Sequence, residues 1–210
     1  MFTDLTVNQF LDALASKEPV PGGGSGAALA GALGASLVSM VCNLTIGKKG
    51  YEAVDQAMQD LLRRSEAIRA ELPRLLEADT QAYGQVMAAY RMPRATEEDK
   101  RAREALLQER FKKAATVPLQ IAERCAEVVN LALPAAQMGN KWAVSDAGVG
   151  ALLAEASLRS ALLNVEINLA SISDAAFAAD MRRRMAEITT QATATKDQVL
   201  EIVHKTISGS

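Results

Sequence analysis

The run VPGGGSGAALAGALGASLVSMVCNLTI, Val20 to Ile46, constrains the fold more than any other part of the chain. It predicts a helix from about Ser25 to Ile46, with Ser25 as the N-cap. Such a helix would be apolar on nearly every side, which places it at the centre of a bundle. Gly26, Ala27, Ala30, Gly31, Gly34 and Ala35 would let neighbouring backbones approach closely, either between helices of one chain or at a subunit interface. A helix of about 20 residues also has the length of a membrane span. Against that reading, Ser36, Ser39, Asn43 and Thr45 are scattered through it, and no other segment qualifies. The glycine triplet Gly22–Gly24 resembles a phosphate-cradling loop. It matches neither G-x-G-x-x-G nor G-x-x-x-x-G-K-[ST], and no strand precedes it.

The rest of the chain also reads as helix. Thr6 with Gln9 forms a capping-box pattern, followed by Val7, Phe10, Leu11 and Leu14 on one face. Pro19 and Pro21 disfavour helix before them. A long helix is expected over Glu52–Arg91, kinked or divided at Pro73. Its apolar stripe includes Leu72, Leu75, Leu76, Tyr83, Val86, Met87 and Tyr90, and Asp79 falls at core spacing within it. Burial there would raise the pKa of the carboxylate unless a cation or donors compensate. Thr96 opens a further helix kinked at Pro118, Ser145 or Asp146 starts another after Gly139, and the last begins near Ser173. The expected fold is an all-α, up-and-down bundle of long kinked helices in a single domain, 1–210.

Composition narrows the chemistry. Aromatic residues are 4% of the chain, so Ala, Leu, Val, Ile and Met must build the core. A net charge of -2 gives no reason to expect nucleic acid or an anionic membrane as partner. Cys42 and Cys125 lie far apart, which suits reduced cysteines of a cytoplasmic core better than a disulfide. The N-terminus carries neither a basic region nor an apolar signal core. The sole histidine, His204, is six residues from the end, so a His-Cys zinc site and a Ser-His-Asp triad are not expected. Acid-base chemistry then falls to Asp, Glu, Lys, Tyr or Cys.

Taken in order, PGGGSGAALAGALGASLVSMVCNLTIGKKGY, LLEADTQAY, RMPRATEEDKRARE, VPLQIAE, GNKWAVSDAGVGALL and LLNVEINLASISD resemble the cyclodeaminase/cyclohydrolase family. The resemblance spans roughly Leu5 to Val203. It implies an all-helical homodimer acting on one-carbon tetrahydrofolate derivatives, with no metal and no cofactor beyond the substrate.

The resemblance also implies site residues. Asp79 matches the second acidic position of an acidic A-D motif, where the family has its proposed acid-base group; Glu77 is a mild departure at the first. Asp146 is the second catalytic candidate, or only a helix cap. Gly22, Gly23 and Gly24 would bring backbone N–H groups to a pterin ring or a carboxylate, with Ser25 beside them; alternatively they only permit a tight turn. Asn43 and Asn140 are further substrate-binding candidates. Asn164 and Asn168 share a helix face and would bind either the pterin or a neighbouring helix. Lys48 and Lys49 would attract the glutamate tail, or simply suit the helix dipole.

The expected reaction is hydrolysis of 5,10-methenyltetrahydrofolate to 10-formyltetrahydrofolate. The alternative is a 5-formiminotetrahydrofolate cyclodeaminase releasing ammonia. With no formiminotransferase domain ahead of it, the chain leans to the cyclohydrolase. A catalytically silent helical folate-binding protein is the reading from another class.

Overall fold

Local start signals set the helix boundaries. In a computed structural model describing residues 1–209, helix α1 (Val7–Leu14) opens at Thr6, which exchanges both capping-box bonds with Gln9. Helix α4 (Glu97–Met138) opens in the same way at Thr96 with Asp99. Helix α6 (Ala175–Ser208) opens at Asp174, whose carboxylate accepts the Phe177 N–H at 3.0 Å.

Both ends of the glycine-rich helix and the start of the helix after Gly139 differ from expectation. Helix α2 (Gly23–Asn43) is capped by the extended backbone of Gly22, and Ser25 lies inside the first turn, fully buried. The helix stops short of Ile46 because the chain turns there: the Thr45 hydroxyl folds back on the Val41 carbonyl, and Gly47 takes φ +70°. Helix α3 (Asp55–Tyr90) is not divided at Pro73. Pro118 and Pro134 likewise sit inside α4. Each proline forfeits one ladder bond. The buried side chains around them, Leu72, Leu76, Leu119 and Leu131 among others, hold the helices in place. Helix α5 (Val144–Leu169) follows a single 3-10 turn at Lys141–Ala143, so neither Ser145 nor Asp146 is its cap.

The bundle is closed by packing α2 on α3, α3 on α4, α4 on α5 and α5 back on α2. Helix α6 lies over α4 and α5. Among the described residues there is no strand. The small residues of α2 set its distance from these neighbours. A Cβ on Gly34 would fall 2.9 Å from the Gly150 carbonyl oxygen of α5, and one on Gly150 would fall 3.1 Å from that of Gly34. A Cβ on Gly31 would meet the Cys125 sulfur of α4 at 2.5 Å. Close backbone contact therefore replaces large side chains at the centre, and a bulky residue there would overpack it at a cost of about 1–3 kcal/mol. Helix α2 has the length and hydropathy of a membrane span, but most of it is buried against α3, α4 and α5.

The apolar face of α1 behaves differently. Only Phe10 is buried, while Val7 and Leu11 are 75% and 53% exposed.

Candidate functional site

The first turn of α2 meets the middle of α3. The N–H groups of Gly23, Gly24 and Ser25 have no acceptor within the helix, and no side chain caps them. Asp79 projects from α3 against this turn. A Cβ on Gly24 would fall 2.5 Å from the Asp79 Oδ2 and 2.8 Å from both its Oδ1 and Cγ. Glycine at this position is a requirement of close approach, since its φ is not in the left-handed region.

Asp79 has no hydrogen-bond or ion-pair partner among the described residues. Burial alone pushes its pKa from 3.8 up to about 6. Among the described residues no cation and no hydrogen bond to the carboxylate pulls it down. A carboxyl of this kind exchanges a proton near neutral pH, which is what a general acid-base group requires.

Asp79 opens onto a cavity of about 400 Å³. The Pro19–Gly24 segment forms one wall, α3 another, and Phe111 and Ala114 of α4 a third. Asn164, Ile167 and Asn168 of α5 complete it. Size and lining, mostly apolar with a few converging polar groups, are those of a small-molecule site. The amide of Asn164 lies beside Gly23, 3.5 Å from where its Cβ would be, and donates to the Ser160 carbonyl at 2.9 Å. The Asn168 amide donates to the carbonyls of Ala114 on α4 and Asn164 on its own helix, at 3.1 and 2.7 Å. Asn168 thus bonds a neighbouring helix and lines the cavity at once. Both Oδ1 atoms are left without a protein donor among the described residues.

Of the residues singled out from sequence, the structure brings together Gly22, Gly23, Gly24, Asp79, Asn164 and Asn168. Ser25 sits directly behind them, its hydroxyl 3.5 Å from that of Thr80. Asn43, Lys48, Lys49, Asn140 and Asp146 do not reach this cavity. They gather around the other end of α2, about 30 Å away at 1.5 Å per residue. There Asn140 is a strap: its N–H donates to the Thr45 hydroxyl at 2.8 Å, its amide donates to the Leu44 carbonyl at 3.1 Å, and its Oδ1 accepts the Trp142 N–H at 3.2 Å. Lys48 lies over the Tyr51 ring, and Asp146 sits half-buried in the first turn of α5.

Tyr83, Val86, Met87, Tyr90 and Phe111 line the cavity without having been marked as site residues. The signal was present: in a chain poor in aromatics, two of three tyrosines follow Asp79 by four and eleven residues on one helix face. Read as core stripe, they are instead 39% and 46% exposed. Among the described residues, no group of three or more His, Cys, Asp and Glu side chains is placed to hold a metal.

Known proteins share this architecture. The family model of formiminotransferase-cyclodeaminase matches residues 6–187. The chain is 44% identical over 203 residues to the methenyltetrahydrofolate cyclohydrolase of Methylorubrum extorquens, covering 97% of this chain and 98% of that protein. It is 37% identical to the formimidoyltransferase-cyclodeaminase of Sus scrofa over 87% of this chain, spanning 34% of that longer protein. The crystal structure of formiminotetrahydrofolate cyclodeaminase from Thermotoga maritima superposes with a TM-score of 0.89 at 30% identity, covering 99% of this chain and 100% of that one. A match over most of the chain, in sequence and in fold, settles its membership: the chain belongs to the formiminotransferase-cyclodeaminase family.

Proposed function

We propose that the chain hydrolyses 5,10-methenyltetrahydrofolate to 10-formyltetrahydrofolate, with Asp79 as the acid-base group. The observation that carries this is the lone Asp79 carboxyl, poised at about 6 against the open amides of α2. Similarity over nearly the full length to a methenyltetrahydrofolate cyclohydrolase supports the choice of substrate.

The substrate is a cation delocalised over N5, the bridging carbon and N10. An ionised Asp79 stabilises that charge and accepts a proton from water as its oxygen bonds to the bridging carbon. The neutral adduct then collapses. The carbon–N5 bond breaks, Asp79 returns its proton to N5, and the adduct hydroxyl releases its own proton as it becomes the formyl carbonyl on N10. One proton is released overall, which balances the lost positive charge. The Asn164 and Asn168 oxygens are acceptors for pterin N–H groups. The α2 amides are donors for the pterin carbonyl.

The fold likeness to a cyclodeaminase favours a second reading, 5-formiminotetrahydrofolate cyclodeaminase, in which N10 attacks the formimino carbon and ammonia leaves. The same aspartate serves both. Loss of methenyl absorbance on incubation with the methenyl compound supports the first reading. Ammonia release from the formimino compound without that loss replaces it with the second, and neither signal rejects both.

The same reading takes the enzyme to be cytoplasmic, to need no metal and to act as a homodimer. In support of the dimer, α2 leaves Leu33 and Met40 exposed, its C-cap Leu44 is exposed as well, and α5 leaves Leu163 and Ile167 exposed at 65% and 72%. Gly31 takes no part in this face, because it points at Cys125 inside the bundle. A second copy seated there would also border the cavity, since Ile167 lines it.

A further inference from the structure

The cavity follows α3 from Asp79 to Tyr90, eleven residues or about 16 Å at 1.5 Å per residue. Its wall changes along that path. Asp79 and the α2 amides stand at one end, Tyr83, Val86 and Met87 in the middle, and Tyr90 at the other. Tyr90 packs edge to face on Phe111, with centroids 6.0 Å apart and planes at 72°. The guanidinium of Arg103 lies over the Tyr90 ring, 5.4 Å from its centroid. Its Nε donates to the Tyr90 carbonyl at 3.4 Å.

These two contacts fix the guanidinium and leave its terminal nitrogens open. Arg103 makes no other hydrogen bond and no ion pair among the described residues. Arg110, two turns further along α4, differs: its Nη1 donates to Gln85 and lies 3.4 Å from Glu109. A half-buried arginine that is held on a ring and unmatched by any carboxylate is prepared to receive one from outside the chain.

Resting on the folate reading of this cavity, we propose that Arg103 binds the glutamate carboxylate of the substrate tail, with the Tyr90 ring as its platform. A pterin seated at Asp79 sends its benzoyl ring past Tyr83 and Met87. The attached glutamate then arrives at Arg103. Lys48 and Lys49, which sequence suggested for this task, lie at the far end of α2.

Arg103 also resembles a helix C-cap, since it donates to a last-turn carbonyl of α3. The test must separate the two roles. Arg103→Gln is assayed with 5,10-methenyltetrahydrofolate and with the corresponding pteroate, which lacks glutamate. KM for the folate should rise roughly tenfold with kcat little changed, the loss of one charged hydrogen-bond pair. KM for the pteroate should not move. Arg103→Lys keeps the charge and should recover part of the loss, while Lys48→Ala with Lys49→Ala should leave both KM values alone. An equal change for both substrates, or no change in KM with a lowered melting temperature, overturns the proposal in favour of a cap. If wild type turns over neither compound, the catalytic reading fails instead. Calorimetric binding of folate and pteroate then decides: a folate preference lost in Arg103→Gln upholds the role of Arg103, and a preference unaffected by the variant overturns it.

Discussion

The two ends of α2 both gather polar residues, and they treat them in opposite ways. At the far end the buried polar residues have partners, while Asn43, Lys49 and Asp146 lie less buried: Asn140 uses its N–H, its amide and its Oδ1, Thr45 both donates and accepts, and the Lys141 N–H donates to the Tyr51 hydroxyl at 3.0 Å. At the near end the Asp79 carboxyl, the Gly23–Ser25 amides and two asparagine oxygens are left open around a cavity. Polar groups that satisfy one another hold a corner together. Polar groups left open at a cavity cost stability and are kept where a ligand completes them.

The largest effect that can break this comparison is Asp79→Asn. Turnover should fall about 10²–10⁴-fold. Stability should move the other way. Because the folded pKa of Asp79 is raised, its ionisation opposes folding: the favourable contribution is full below about 3.8 and is lost as pH rises through about 6. At neutral pH the asparagine variant escapes that cost and should be more stable by about 1–3 kcal/mol. A thermal melt that falls together with activity would make Asp79 a structural residue.

The pH profile is the next test. The base form is needed for attack, so kcat/KM should rise about tenfold per pH unit below about 6 and level off above it. The inflection should vanish in Asp79→Asn, and an inflection that survives belongs to another group.

Gly24→Ala sharpens the geometry. Its Cβ would fall 2.5 Å from Oδ2, so the carboxyl must turn aside. The expected outcome is a loss of about tenfold in kcat, with a small change in melting temperature, because misplacement of a reacting group is costly. Unchanged turnover would show that the close contact of Gly24 with Asp79 does not position the acid.

The smallest effect on activity should come from the far end. Thr45→Val leaves the buried Asn140 N–H without its acceptor, at a cost of about 1–3 kcal/mol in unfolding experiments. Turnover per folded molecule should stay near wild type. A selective loss of kcat would instead draw the far end into the site, as a dimer that crosses α2 ends between protomers would do.

Much of this protein was fixed by sequence alone. The capping boxes at Thr6 and Thr96 and the 3.6-residue stripes depend on residues three or four apart, so they can be read directly. Helix α2 announced its central place by being apolar all round, and Asp79 by interrupting an apolar stripe. The position of Ser25 inside the helix was not legible, because three glycines let the backbone itself begin the turn. Nor was the division of the marked residues between two ends of a helix. Asp79 meets Gly24 across more than fifty residues of chain, and Asn140 meets Leu44 across ninety-six. Those meetings are decided by how α2 packs on α3 and on α5, the latter at the close backbone contact of Gly34 with Gly150. Sequence determined which polar residues interrupt an apolar pattern, and tertiary structure decided which of them stand together, because only packing brings distant turns within a few ångströms of one another.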